Sequence, residues 1–188
     1  MSPKRPYHHG DLRPVLLAAA IDIVEESGAA ALSMREVARR AGVSHTAATY
    51  HFGDKAGLLG AIAADGYRRI AATLSEVRER ALSFLDMGVA YVHFAVTHPA
   101  HFEVMYHPAL YDARDPDVVS ARQDAAELLY GSRDASDEQL RVGVAAWSLV
   151  HGFAALWLAG ALPPELGRDP EGIARAVASY LSVPRERA

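Results

Sequence analysis

The chain has 188 residues and is 51% hydrophobic, enough to bury a core without help from metals or disulfides. It has no cysteine, which excludes a disulfide framework and thiolate zinc sites and fits a reducing cytosol. The net charge of −4 excludes a uniformly basic nucleic-acid binder, but the acid is concentrated late: residues 1–55 carry seven basic and six acidic side chains, the remainder 12 and 17.

In chain order, Asp11 can cap a first helix and Pro14 sits in its first turn, where a missing N–H does no harm. Leu16, Ala19, Ala20, Ile23 and Val24 fall on one helical face, and Gly28 stands where a C-terminal cap ends the helix. Ser33-Met34-Arg35-Glu36 reads as a capping box, with the serine hydroxyl accepting from the Glu36 amide and the Glu36 carboxylate reaching back to the serine amide. The short helix begun there turns Val37, Ala38 and Ala41 inward and stops at Gly42, and Ser44 caps a third helix over 44–51. Gly53 breaks the chain again and Asp54 caps a long helix whose stripe is Leu59, Ile62, Gly66, Ile70 and Val77.

Farther on, Pro99, Pro108, Pro116, Pro163 and Pro164 divide the chain into helical lengths. The β-branched and aromatic segment 89–96 lies within a helical pattern without turn signals and is predicted to be helix. An apolar helix is predicted over 138–162, and Ile173, Val177, Tyr180 and Leu181 mark another. No Asn-Gly or Asp-Gly hairpin signal and no repeat period occurs, so the expected fold is all-α. The apolar stretches are interrupted by charges or histidines within a few residues, so a soluble, cytoplasmic protein without a membrane partner is expected.

Two short helices joined by a glycine-containing turn form the geometry by which a protein lays its second helix in the major groove. Ala38, Ala41 and Gly42 are small enough for the crossing, and the second helix carries an unusually polar set for a core element. His45 and Thr46 can hydrogen-bond base edges and Ala48 can meet a thymine methyl. Tyr50, His51 and Lys55 suit phosphates, which fix register rather than sequence.

The run Ala31-Leu32-Ser33-Met34-Arg35-Glu36-Val37-Ala38-Arg39-Arg40-Ala41-Gly42-Val43-Ser44, followed by His51-Phe52-Gly53-Asp54-Lys55-Ala56-Gly57-Leu58-Leu59, resembles the N-terminal domain of TetR-type repressors. Trp147-Ser148-Leu149-Val150-His151-Gly152 and the segment from His98 to Met105 are similar to the tryptophan and histidine-glycine type of TetR C-terminal domain. The resemblance implies a three-helix DNA-binding domain over 1–54, a helical-bundle ligand-binding and dimerisation domain over 55–188, a homodimer and an operator of two-fold symmetry on double-stranded DNA. Ser33, Arg35, Ser44 and Thr49 complete the candidate DNA-binding set. The family usually places a phosphate-contacting tyrosine two residues before the histidine-phenylalanine pair; here Thr49 stands there with Tyr50 beside it. Phe52 is expected to plug the core of this domain.

For a small-molecule effector, the candidate pocket residues are Tyr91, Phe94, Phe102, Met105, Tyr106, Trp147 and His151, since aromatic residues with polar tips suit a mostly apolar pocket with a few hydrogen-bonding groups. His151 can equally be a hydrogen-bonded core histidine. The helices over 138–162 and 173–181 can close a four-helix dimer interface or be buried within one chain. A metal site at His98 and His101 is disfavoured by Pro99 between them and by the lack of a matching carboxylate, and no cofactor is expected. A helical enzyme is the rival reading, but no serine elbow, metalloprotease histidine pair or phosphate loop is present.

Overall fold

The computed structural model describes residues 12–80, 83–132 and 134–182, with side-chain surroundings as far as residue 179. Asp11 as a cap lies outside the described residues, and so do the side chains of Tyr180 and Leu181, whose backbone continues the last helix. The described residues form helices joined by turns and short irregular segments, with no strand among them: α1 (Leu12–Ala31), α2 (Met34–Arg40), α3 (His45–Phe52), α4 (Lys55–Glu79), α5 (Phe84–Thr97), α6 (Pro99–Met105), α7 (Pro116–Tyr130), α8 (Asp137–Leu158) and α9 (Pro170–Ser182).

The boundaries follow the local signals. Ser33, Ser44, Asp54, Ser83 and Ser136 cap α2, α3, α4, α5 and α8, each side chain accepting the N3 amide. Gly28 leaves helical geometry as its capping role requires (φ 78, ψ 161), yet the chain resumes helix for the last turn of α1, which is therefore kinked rather than ended there. Segment 89–96 is helix, inside α5.

One expectation fails in part. Ser33 accepts the Glu36 amide at 3.3 Å, but the Glu36 carboxylate does not return to the serine amide. Two guanidinium groups compete for it, Arg39 at 2.8 and 2.6 Å and Arg40 at 3.1 Å. Charge-assisted bonds are stronger than one to a neutral amide. Their bonds, Arg39 first, hold the Glu36 carboxyl down at about 2. Arg40 also forks onto Glu26 of α1 at 2.8 and 2.6 Å, fixing the angle between α1 and α2.

Leu16, Ala20, Ile23 and Val24 of α1 meet Val37 and Ala38 of α2 and Ala48 and Phe52 of α3 in a small head whose core continues into that of the remaining helices. The 25-residue α4 joins the two, packing along α7, α6 and α5, while α5 packs on α8 and α9. At Gly66 the axes of α4 and α6 come close: a Cβ there would lie 2.5 Å from Met105 Sδ and 3.1 Å from His101 Cβ. A methyl group there has to displace the Met105 side chain.

Candidate nucleic-acid interface and apolar chamber

The turn between α2 and α3 needs a residue with positive φ, and Gly42 supplies it at φ 69. Ala41 then closes α2 on Val37, Val43 donates to the Ala38 carbonyl at 2.9 Å, and Ser44 starts α3 by accepting the Ala47 amide at 3.1 Å. Of α3, only Ala48 and Phe52 are buried. His45, Thr46, Thr49 and Tyr50 are exposed, at i, i+1, i+4 and i+5 on one outward face, with Ala47 and His51 half-buried at its edges.

This surface can meet base edges through His45 and Thr46 and phosphates through Tyr50. Tyr50 is 86% exposed, a large apolar ring with a hydroxyl tip held out from the fold. The Thr49 hydroxyl donates to the His45 carbonyl at 3.1 Å, so its proton is used within the helix. Ser33, the N-cap of α2, and Arg35 within it are exposed.

Ala48 is a correction: it is 0% exposed, packed in the head core, and cannot touch a thymine methyl. A helix of eight residues presents only one outward face, and position 48 is on the other. Lys55 has a structural bond the sequence did not reveal, its Nζ donating to the Ala30 carbonyl at 2.8 Å across the end of α1. This interaction places a cation at an exposed helix C-terminal carbonyl, where it is favoured. Phe52 is the expected plug, 8% exposed, with the Arg13 guanidinium 5.1 Å from its ring centroid. Burial on this scale is worth roughly 2–3 kcal/mol. No spacing rule connects Arg13 to Phe52 or Lys55 to Ala30, which is why sequence reasoning missed both.

A second feature lies among α4, α5, α7, α8 and α9, a chamber of about 670 Å³. Its walls are aliphatic: Leu74, Leu85, Met87, Leu128, Leu129, Leu149 and Val150, with Phe84. Of the seven residues expected in a pocket, Tyr91 and Trp147 line it, whereas Phe94, Phe102, Met105, Tyr106 and His151 do not. Phe102, Tyr106 and His151 instead pack against the rings of Tyr91 and Trp147. Phe94 stacks on His98 with ring centroids 5.1 Å apart, and Phe102 stacks on His151 at 5.2 Å. The Met105 carbonyl accepts from the hydroxyls of Tyr67 at 3.0 Å and Tyr111 at 2.9 Å. The wall residues the sequence missed are leucines and valines, which carry no signal separating a cavity lining from a core.

The Tyr91 hydroxyl connects chamber wall and aromatic cluster, 2.9 Å from the Tyr106 hydroxyl and 2.9 Å from His151 Nδ1. His151 is thus a hydrogen-bonded histidine at the chamber's back rather than a lining residue. Burial pushes the Tyr91 hydroxyl up to about 12, raises Tyr106 further and pushes His151 down. All three are neutral near pH 7.

The histidines of the α5–α6 corner serve separate contacts. His93 meets Glu171 at 2.7 Å, the His98 ring meets the Thr97 hydroxyl at 2.9 Å, and His101 Nε2 meets Asp65 at 3.0 Å. No group of three or more metal-ligating side chains converges among the described residues.

Comparison with known proteins gives two family matches: "Bacterial regulatory proteins, tetR family" over residues 16–62 and "Tetracyclin repressor-like, C-terminal domain" over residues 84–181. Among solved structures, a protein of unknown function from Rhodococcus sp. RHA1 is 32% identical, with 94% of this chain and 96% of that one covered and a TM-score of 0.76. The TetR family transcriptional regulator PfmR from Thermus thermophilus is 20% identical over 92% of this chain and 99% of that one, at a TM-score of 0.65. NalD, the secondary repressor of the MexAB-OprM multidrug efflux pump in Pseudomonas aeruginosa, is 21% identical over 94% and 97%, at 0.60. The last two share the fold. No curated protein matches the sequence.

Proposed function

The chain belongs to the TetR family and is a DNA-binding transcriptional regulator, not an enzyme; from that premise we propose that it is a cytoplasmic repressor, released from a palindromic operator by a small, mostly apolar effector. The observation that carries the reading is the outward face of α3, polar and unpacked, set beyond a turn that only a positive-φ residue can make. Residues 1–54 form the DNA-binding unit in this reading, and 55–188, with a C-terminal domain of the tryptophan and histidine-glycine type, hold the effector and the dimer contacts.

The homodimer is supported by the surface of α8. Leu140, Val144 and Leu158 are exposed along one side of a helix apolar and long enough, at 22 residues, to cross a membrane, whereas Val142 and Leu156 are exposed on the opposite side, where Val142 borders the chamber. Its first turns carry Asp137, Glu138 and Arg141, and it packs on α5 and α7 along its other side, so a second copy is the better cover for the remaining stripe. In a two-fold dimer the α3 helices enter successive major grooves about 34–36 Å apart. An effector that binds better to a state with a different spacing lowers operator affinity, and operator lowers effector affinity by the same factor.

Selection of bound fragments from genomic DNA, followed by titration of the selected site against protein and salt concentration, tests this. Expected are a palindromic consensus, binding by dimer, and log affinity falling linearly with log salt. Binding without sequence preference, or insensitive to salt, overturns the reading.

A further inference from the structure

From His45 to Phe52, α3 has no arginine, lysine, asparagine, glutamine, aspartate or glutamate. Arginine and lysine read guanine bidentately, asparagine and glutamine do the same for adenine, and carboxylates accept from cytosine. None of those pairings is open to this helix. Its outward face offers His45, Thr46, Thr49 and Tyr50 instead. The imidazole of His45 and the hydroxyl of Thr46 can each place single hydrogen bonds on base edges, which discriminate less than a bidentate pair.

Thr49 brings a different group. Its hydroxyl donates to the His45 carbonyl one turn back, at 3.1 Å. A hydroxyl has one proton to give, so a phosphate oxygen, which only accepts, has nothing left to take from it. Threonine carries two heavy branches on Cβ, held in different staggered positions. With Oγ1 turned back to the carbonyl, Cγ2 is the branch that this exposed side chain is left to present. Thr49 therefore shows the groove a methyl group. Thymine is the base whose major-groove edge carries one, at C5. The neighbouring Ala48 methyl is buried in the head core and cannot compete for that contact.

We propose that Thr49 is a specificity residue, reading a thymine of the operator through contact between its Cγ2 methyl and the C5-methyl of the base. This rests on the reading of α3 as the helix that enters the major groove. It divides the work of adjacent positions: Tyr50 holds the DNA backbone whatever the sequence, and Thr49 selects the base.

The test begins with the full-length wild-type protein selecting its site from a pool of randomised duplexes. Each thymine of the selected duplex is then replaced in turn by deoxyuridine, which pairs identically and lacks only the C5-methyl, and affinity is measured by anisotropy at fixed salt. At one thymine in each repeat of the site the wild type is expected to lose about fourfold, the effect of one buried methyl group. Thr49→Ser keeps the hydroxyl but has no methyl group, and should bind the thymine and uracil duplexes alike. Thr49→Val keeps a methyl group without the hydroxyl, and should show the wild-type difference. Circular dichroism reports that the helices are kept; where the serine variant does not fold, Thr49→Ala, with the better helix former, carries the same expectation. A selected site without a sensitive thymine overturns the proposal. So does a sensitivity that persists at every thymine in Thr49→Ser, or one that disappears in Thr49→Val. A pool that yields no preferred sequence overturns instead the reading of the chain as an operator-specific regulator.

Discussion

The Glu103 carboxylate accepts the backbone N–H of Ala29 at 2.9 Å, joining α6 to the last turn of α1 across 74 positions of sequence. Ala29 is the first residue after the kink at Gly28, so this bond holds the segment that leads into α2 and α3. On the same short helix Phe102 stacks against His151, and Tyr106 at its end lies 4.4 Å, centroid to centroid, from that ring. One seven-residue helix thus touches both the head and the cluster behind the chamber.

Glu103→Ala leaves the N–H of the buried Ala29 without its acceptor, which costs about 1–3 kcal/mol. For a chain of this length that lowers the melting temperature by roughly 2–4 °C per kcal/mol. Glu103→Gln keeps an acceptor and should lose less. Hydrogen exchange at the Ala29 amide should accelerate in the alanine variant; an unchanged rate would show that another group protects it.

Gly66→Ala drives a methyl group toward Met105 Sδ and is expected to destabilise by about 1–3 kcal/mol, the usual cost of overpacking. Because the hardest clash is with Met105, ahead of His101, Gly66→Ala combined with Met105→Ala should be less damaging than the sum of the two changes. Urea denaturation of all four proteins measures the coupling, and strict additivity would contradict the contact.

The bonds from His101 and then Arg69 hold the Asp65 carboxyl at about 2, against an ordinary 3.8. A carboxylate depressed in the folded state stabilises it above its unfolded value, and that contribution is lost as pH falls through the folded one. Stability measured by denaturation should therefore drop between about pH 4 and pH 2 by more in the wild type than in Asp65→Asn. Parallel pH profiles for the two proteins would remove Asp65 from the account.

Tyr50 and Ala48 should separate recognition from folding. Tyr50→Ala, at a position 86% exposed, should change stability by less than about 0.5 kcal/mol while weakening binding to DNA of any sequence. Ala48→Leu, at a position with no exposure, should destabilise by about 1–3 kcal/mol through overpacking. Full DNA affinity in Tyr50→Ala, measured by anisotropy across a salt series, would discard the phosphate contact assigned to Tyr50.

Local chemistry made much of this legible without a structure. Ser33, Gly42, Ser44 and Asp54 act through bonds and backbone angles spanning only three or four positions, so the helix ends and the turn between α2 and α3 follow directly from residue order. Within α3 the same order revealed which residues were polar, but not that Ala48 turned inward, because a methyl group suits a core and a thymine equally well.

Tertiary packing decided the rest. Arg40 found Glu26 14 positions away, Lys55 found a carbonyl 25 positions away, and Glu103 found an amide 74 away. Tyr91 and Trp147 became chamber wall while Phe94 and Met105 became core, a division made by where helices far apart in sequence leave space between them. Periodicity states which face of a helix is apolar; it does not state whether another side chain or a cavity lies opposite, and here that difference separates the fold from the site.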